Sequence, residues 1–236
     1  MRTLGILGGM AWPSTAEAYR LINEEVQARL GGVHSAPLIV WSFDFAEIEQ
    51  LQTSDDWDAA GQMLAAAARR LEDAGAEGLM LCTNTMHLVA DAIEDATTIP
   101  LLHIADATAQ AINADGPSTV GLLGTAFTME RDFYRGRLEQ HGLEVVVPGR
   151  EDREFVHRVI YDELVHGRVV DHSRGRYLEI IGRLADRGAE GIIAGCTEIE
   201  LLVTPDHIDL PYYPTTRIHT MAAVDWILER APSSTT

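Results

Sequence analysis

The chain repeats itself around its thiols. Residues 75–84 read GAEGLMLCTN and residues 188–198 read GAEGIIAGCTE, so each copy runs Gly-Ala-Glu-Gly, a short apolar stretch, then Cys-Thr. The repeat reaches upstream, because GILGGM at 5–10 is echoed by GLLGT at 121–125. Gly5 precedes Cys82 by 77 positions and Gly121 precedes Cys196 by 75. A duplication of this length implies two related half-chains, each carrying one thiol at the end of a strand. Cys82 and Cys196 are the only 2 cysteines among 236 residues.

Short β-rich runs alternate with helical patterns in both halves. The first half offers strands at Thr3–Leu7, Leu38–Phe43, Gly78–Cys82 and Leu101–Ile104, and the second at Thr119–Leu123, Glu144–Val147, Gly191–Ala194 and Pro211–Tyr213. Helical stretches fall near 15–30, 57–74, 85–96, 106–114, 129–141, 152–166, 172–187, 198–203 and 218–230. The 57–74 stretch is the clearest: Asp55 or Asp56 caps it, Leu64, Ala67, Ala68 and Leu71 form one face, and Gly75 stops it. Continuous apolar strands separated by helices predict parallel sheets covered on both faces. The expected fold is therefore α/β, with two pseudo-symmetric lobes over residues 1–115 and 116–236 and an active site between them. The boundary is expected near Ala114–Pro117, the C-terminal helix is expected to complete the first lobe, and Pro232–Thr236 reads as a frayed tail. Gly8-Gly9, Cys82-Thr83-Asn84, Gly124-Thr125 and Cys196-Thr197-Glu198 all fall at strand C-termini, the edge where such sheets bind ligands.

Charge narrows the function classes. With 36 acidic against 18 basic residues the net charge is −18, which argues against nucleic acid and anionic membranes as partners. No apolar run approaches the ~20 residues of a membrane span. The N-terminal residues lack an export-signal pattern, so the cytoplasm is the expected compartment and free thiols are expected over a disulfide. Every basic residue is arginine. Without a lysine there is no partner for a pyridoxal-phosphate Schiff base, and no P-loop pattern is present either. An acidic, lysine-free surface fits a halophilic source or a GC-rich genome equally well. The 9 histidines show no metal-ligand spacing, so no metal is expected. His157, His166 and His172 read as solvated surface, whereas His87, one turn beyond Cys82, is placed to tune that thiol.

A thiol with an ordinary pKa near 8.5 is mostly protonated at neutral pH. A position where a strand turns into a helix surrounds it with N–H donors and lowers that value, which is the setting expected for both cysteines. Two such groups flanking one carbon can remove a proton from one face and deliver one to the other, as inversion of a stereocentre requires. Thr83, Asn84 and Thr85 offer hydroxyls, an amide and helix-start N–H groups, a cradle for a carboxylate as well as a cap. Glu198 either points at Cys196 and raises its pKa, sits on the helix dipole, or binds a substrate ammonium. Met10 and Thr125, at the ends of the duplicated GILGGM and GLLGT segments, complete the candidate substrate-binding set.

These residues resemble the aspartate/glutamate racemase family, in particular its amino-acid racemases of broad specificity. The likeness runs through GILGGMAWPSTAEAYRLINE, HSAPLIVWSFDFAEIEQLQ, LCTNTMHLVADAI, LLHIADAT, GLLGTAFTMERDFYRGRL, GAEGIIAGCTEIELL and TTRIHTMAAVDW, almost the whole chain. It implies cofactor-independent racemisation with Cys82 and Cys196 as opposed acid and base, a carboxylate loop at Thr83, Asn84 and Thr85, and Thr197 as the matching residue of the second lobe. It also implies a homodimer. Ala11, Pro13 and Pro214 depart from residues usual in close relatives. Dedicated aspartate racemases resemble one another in carrying an Arg in the 45–52 loop and a Lys near 165; here the loop reads FAEIEQLQ, Gln52 is the best polar substitute, and Val165 stands at the second position. The resemblance thus supports amino-acid racemisation more than it supports aspartate. Isomerisation or decarboxylation of a dicarboxylic acid, and non-catalytic amino-acid binding, are the alternatives.

Overall fold

The computed structural model describes residues 1–229, so the expected tail at Pro232–Thr236 and the last residue of the 218–230 stretch lie outside the described residues. The described residues form two compact units: residues 1–103 with residues 219–229, and residues 104–218. The first unit runs β1 (Leu4–Gly8), α1 (Trp12–Leu30), β2 (Leu38–Ser42), α2 (Phe45–Thr53), α3 (Trp57–Asp73), β3 (Gly78–Leu81), a 3₁₀ turn (Thr85–Val89) leading into α4 (Ala90–Glu94), and β4 (Leu101–Leu102). The second runs α5 (Ile104–Asp115), β5 (Thr119–Gly124), α6 (Ala126–Glu130), α7 (Asp132–Gln140), β6 (Glu144–Val146), α8 (Arg150–Asp162), a 3₁₀ turn (Leu164–His166), α9 (Asp171–Asp186), β7 (Gly191–Gly195), α10 (Ile199–Leu202), a 3₁₀ turn (Pro205–His207) and β8 (Tyr212–Pro214). Helix α11 (Thr215–Leu228) begins in the second unit and from His219 belongs to the first.

Each unit holds a 4-stranded parallel sheet, ordered β2-β1-β3-β4 in the first and β6-β5-β7-β8 in the second. The repeated sequence thus becomes a repeated topology. Alternation along the central strands of the first unit feeds two cores. Leu4, Ile6 and Met80 pack with Ile22, Val26, Ala223 and Val224 of α1 and α11, while Leu7, Leu79 and Leu81 pack with Leu64, Ala68 and Leu71 of α3. Both faces are covered, as continuous apolar strands require.

Two helical expectations are corrected. The FAEIEQLQ stretch is helix α2, not a loop: the Asp44 carboxylate accepts the Ala46 N–H at 3.1 Å and starts it, and Ile48 and Gln52 are its buried positions. The single helix expected at 129–141 is two, because Arg131 is extended (φ −92°, ψ 148°) and separates α6 from α7.

Candidate functional site

In a sheet ordered 2-1-3-4 the chain leaves strand 1 for one side and later returns on the other. The crevice at the carboxyl ends of strands 1 and 3 is the switch point where such sheets bind ligands. In the first unit those ends are Gly8-Gly9 and Cys82; in the second they are Gly124-Thr125 and Cys196. The ladder pairs Leu7 with Leu81, which sets Cys82 level with Gly8; Gly124 pairs with Gly195, which sets Cys196 level with Thr125. The second strand carries one more residue, Gly195, and only glycine fits there: a Cβ would lie 2.8 Å from the Leu123 carbonyl oxygen.

In the first unit the end of β1 is drawn tight against its neighbours. Thr15 Oγ1 accepts the Gly9 N–H at 2.8 Å and the Phe43 N–H donates to the Gly8 carbonyl at 3.0 Å. Gly9 has φ +90°, and a Cβ on it would come within 2.4 Å of the Phe43 carbonyl oxygen, so both conformation and space demand glycine. The Cys82 N–H bonds Leu7 O at 2.9 Å, and the side chain is only 8% exposed among Ile6, Ala18, Met80 and Ala223. Thr83 is half-buried and Asn84 and Thr85 are buried. Gln52 is buried with its amide 3.1 Å from Met86 Sδ, and Met10 packs into the same α3-side core as Met86, whereas Cys82 belongs to the α1 and α11 side.

The second unit is built differently around its thiol. Cys196 donates to Glu198 Oε2 at 2.9 Å, so of the orientations open to Glu198 the carboxylate takes the one facing the sulfur. Thr197 Oγ1 meets Thr216 Oγ1 at 2.8 Å, and Thr215 donates to Ala194 O at 2.9 Å, pinning the start of α11 to β7. Thr125 is buried and caps α6 by accepting the Thr128 N–H at 3.3 Å. His157, expected at the surface, is half-buried, and its Nδ1 accepts the Ala126 N–H at 3.1 Å. Thr15, His157 and Thr215 are anchors of these strand ends that sequence reasoning did not assign. Their partners are distant in the chain or masked as ordinary helix starts, so local pattern held no signal for them.

The expected lowering of the thiol pKa values is overturned. Burial pushes the Cys82 thiol up to about 12. Burial also raises Cys196 well above its ordinary value, and the charges of Glu198 and Glu200 push the same way. Beyond Cys82 lies a short 3₁₀ turn, and beyond Cys196 the 4-residue α10, so desolvation outweighs the few N–H dipoles on offer. Both groups are thiols at neutral pH. No cluster of three or more His, Cys, Asp or Glu side chains able to hold a metal exists among the described residues. No helix among them is long and apolar enough to cross a membrane.

Residues 7–223 match the profile of the Asp/Glu/Hydantoin racemase family. The fold superposes on the crystal structure of a candidate Asp/Glu racemase from Yersinia pestis with a TM-score of 0.93 and 53% identity, covering 97% of this chain and 100% of that one. An aspartate racemase homologue from Pyrococcus horikoshii gives a TM-score of 0.85 at 33% identity over 97% and 100% of the two chains. A broad-specificity amino-acid racemase of Bacillus subtilis is 26% identical over 153 residues, a match spanning 65% of this chain and 65%, just under two thirds, of that relative. The chain belongs to the Asp/Glu/hydantoin racemase family.

Proposed function

We propose that the protein is a cofactor-independent amino-acid racemase in which Cys82 and Cys196 alternate as base and acid. One observation supports this above others: each unit places its one thiol at the switch point of a sheet with the same strand order. A chain without lysine also has no residue for a pyridoxal-phosphate aldimine. In the proposed reaction one sulfur, as thiolate, removes the α-proton, and the other, as thiol, protonates the opposite face. The half-buried Thr83 and the buried Asn84 and Thr85 take the substrate carboxylate and help to carry the charge that develops beside it. Thr197 serves the same substrate from the second unit.

Because both thiols are protonated at rest, one must first lose a proton. Glu198 receives the Cys196 hydrogen bond and is the group in line to accept it, leaving a thiolate and a carboxylic acid. The thiolate then takes the α-proton and Cys82 gives its own to the other face; Cys82 regains a proton from solvent as Glu198 releases one to it, which restores the resting state. Glu198→Gln keeps the size of the side chain but removes the acceptor carboxylate. It is expected to lower kcat/KM by about 100-fold, equally for both enantiomers because they are equal in energy. The substrate α-deuterium isotope effect should grow in the direction where Cys196 abstracts. Wild-type kinetics in Glu198→Gln would remove Glu198 from the proton path.

The direct test is α-proton exchange in D₂O followed by NMR, with chiral chromatography, on pure L- and D-aspartate, glutamate, alanine, serine, homoserine and methionine. Deuterium incorporation with loss of chirality is expected for at least one of them. No exchange across the panel by well-folded protein contradicts the racemase reading. Turnover of malonate- or maleate-like acids would then favour decarboxylation or isomerisation.

A further inference from the structure

We propose that His87 is a positioning residue for the Cys82 loop, acting as a neutral ring protonated on Nδ1 that grips the Thr83 carbonyl. Its value for catalysis rests on the racemase reading; the grip itself does not. The geometry is specific. His87 Nδ1 lies 2.6 Å from Thr83 O, and the backbone N–H of the same residue bonds Asn84 O at 3.1 Å. A carbonyl only accepts, so the ring must donate from Nδ1; in the neutral ring Nε2 is then the acceptor. One residue thereby holds two successive carbonyls of the segment that links Cys82 to Thr85.

The ring is itself held in place. It is 2% exposed and stands edge-on to His103 at 4.5 Å and to His219 at 5.9 Å between centroids. His219 is anchored in turn, its Nε2 donating to Leu102 O at 2.6 Å. At the other end, Cys82 is tied to β1 through Leu7 O, and Thr83 N–H bonds Leu81 O at 2.9 Å. Met86, one residue before His87, carries the Gln52 amide. The loop is therefore fixed at both ends, and the His87 ring is the side chain that sets its middle. A catalytic group displaced by about 1 Å costs on the order of 100-fold in rate, which is the scale of effect such a clamp controls.

Two measurements test it. In ¹⁵N-labelled wild-type protein, the His87 ring is expected to show the neutral Nδ1–H tautomer, assigned by the resonance that disappears in His87→Asn. An Nε2–H tautomer or a cationic ring overturns the proposal. In variants, an Asn amide nitrogen occupies the place of Nδ1 and a Gln amide that of Nε2. His87→Asn is expected to stay within about threefold of wild-type kcat/KM, and His87→Gln to lose about 30-fold or more, chiefly through KM. Equal losses in the two variants, or no loss in either, overturn it. If a variant does not fold, the wild-type tautomer decides. Absence of wild-type turnover counts against the racemase reading alone, and the tautomer again decides the grip.

Discussion

Cys82→Ser and Cys196→Ser are each expected to lower racemisation by about 10³-fold or more, the upper part of the range for a positioned acid or base. A hydroxyl matches a thiol in shape but ionises far less readily, and burial already pushes the Cys82 thiol up to about 12. Replacing it with serine therefore removes the base without reshaping the core. The fold should survive, because one hydroxyl among Ile6, Met80 and Ala223 costs only about 1–3 kcal/mol. The two variants should fail in complementary ways. With one thiol intact, only its own face of the α-carbon is served, so each variant should exchange the α-proton of one enantiomer for deuterium without inverting it. NMR in D₂O on separate L- and D-substrates reads exchange, and chiral chromatography reads inversion. Either single variant keeping most of its racemisation would rule out the two-thiol mechanism.

The second large effect is an acid-induced loss of stability centred on His219. Burial holds this ring's pKa down to about 4 from an ordinary 6.5, with the Leu102 carbonyl opposing only part of the shift. In the unfolded chain the ring takes up a proton as pH falls through 6.5, while in the folded protein it stays neutral until about 4. Between those values the unfolded state binds more protons, so stability rises with pH. The His219 contribution is complete above pH 6.5 and is lost as pH falls toward 4, in total about 3 kcal/mol. His219→Gln keeps a donor at the Nε2 position for Leu102 O and cannot titrate. Urea unfolding of wild type and His219→Gln at pH 7.5 and roughly pH 4.5 should show a smaller acid loss in the variant, by about 2–3 kcal/mol. Identical pH dependence in the two proteins would contradict this account.

Where order was written locally, the sequence was readable. Each of the eight expected strands has its counterpart within a few residues, because β-branched and apolar runs bounded by glycines and polar turns have few other solutions. Helix α3 lies where its Asp56 cap, apolar face and Gly75 stop put it. Helix α2 is hard to see in sequence because it is only nine residues long and five of them are polar, so it looks like a loop until Ile48 finds a core. The break at Arg131 is hidden for a related reason: 126–140 keeps a helical composition throughout, and only backbone geometry separates α6 from α7.

The candidate site divides along the same line. Duplication alone determined that the chain holds two related α/β units, that each carries one thiol at a strand end, and that Thr-Asn-Thr or Thr-Glu comes next; these are facts of order along the chain. Tertiary structure decided the electrostatics. Whether the N–H groups beyond a strand lower a thiol's pKa or burial raises it depends on how many apolar neighbours enclose the sulfur, and those come from helices far away in sequence. The same packing turned Glu198 onto Cys196, took Gln52 to Met86, set His157 half-buried against Ala126 and brought His87 edge-on to His103 and His219. Residue types and their spacing fix which groups a fold can bring to an edge, because strand and helix periods are local. Which proton each group holds there is set by desolvation and by partners across space, and that only the folded chain contains.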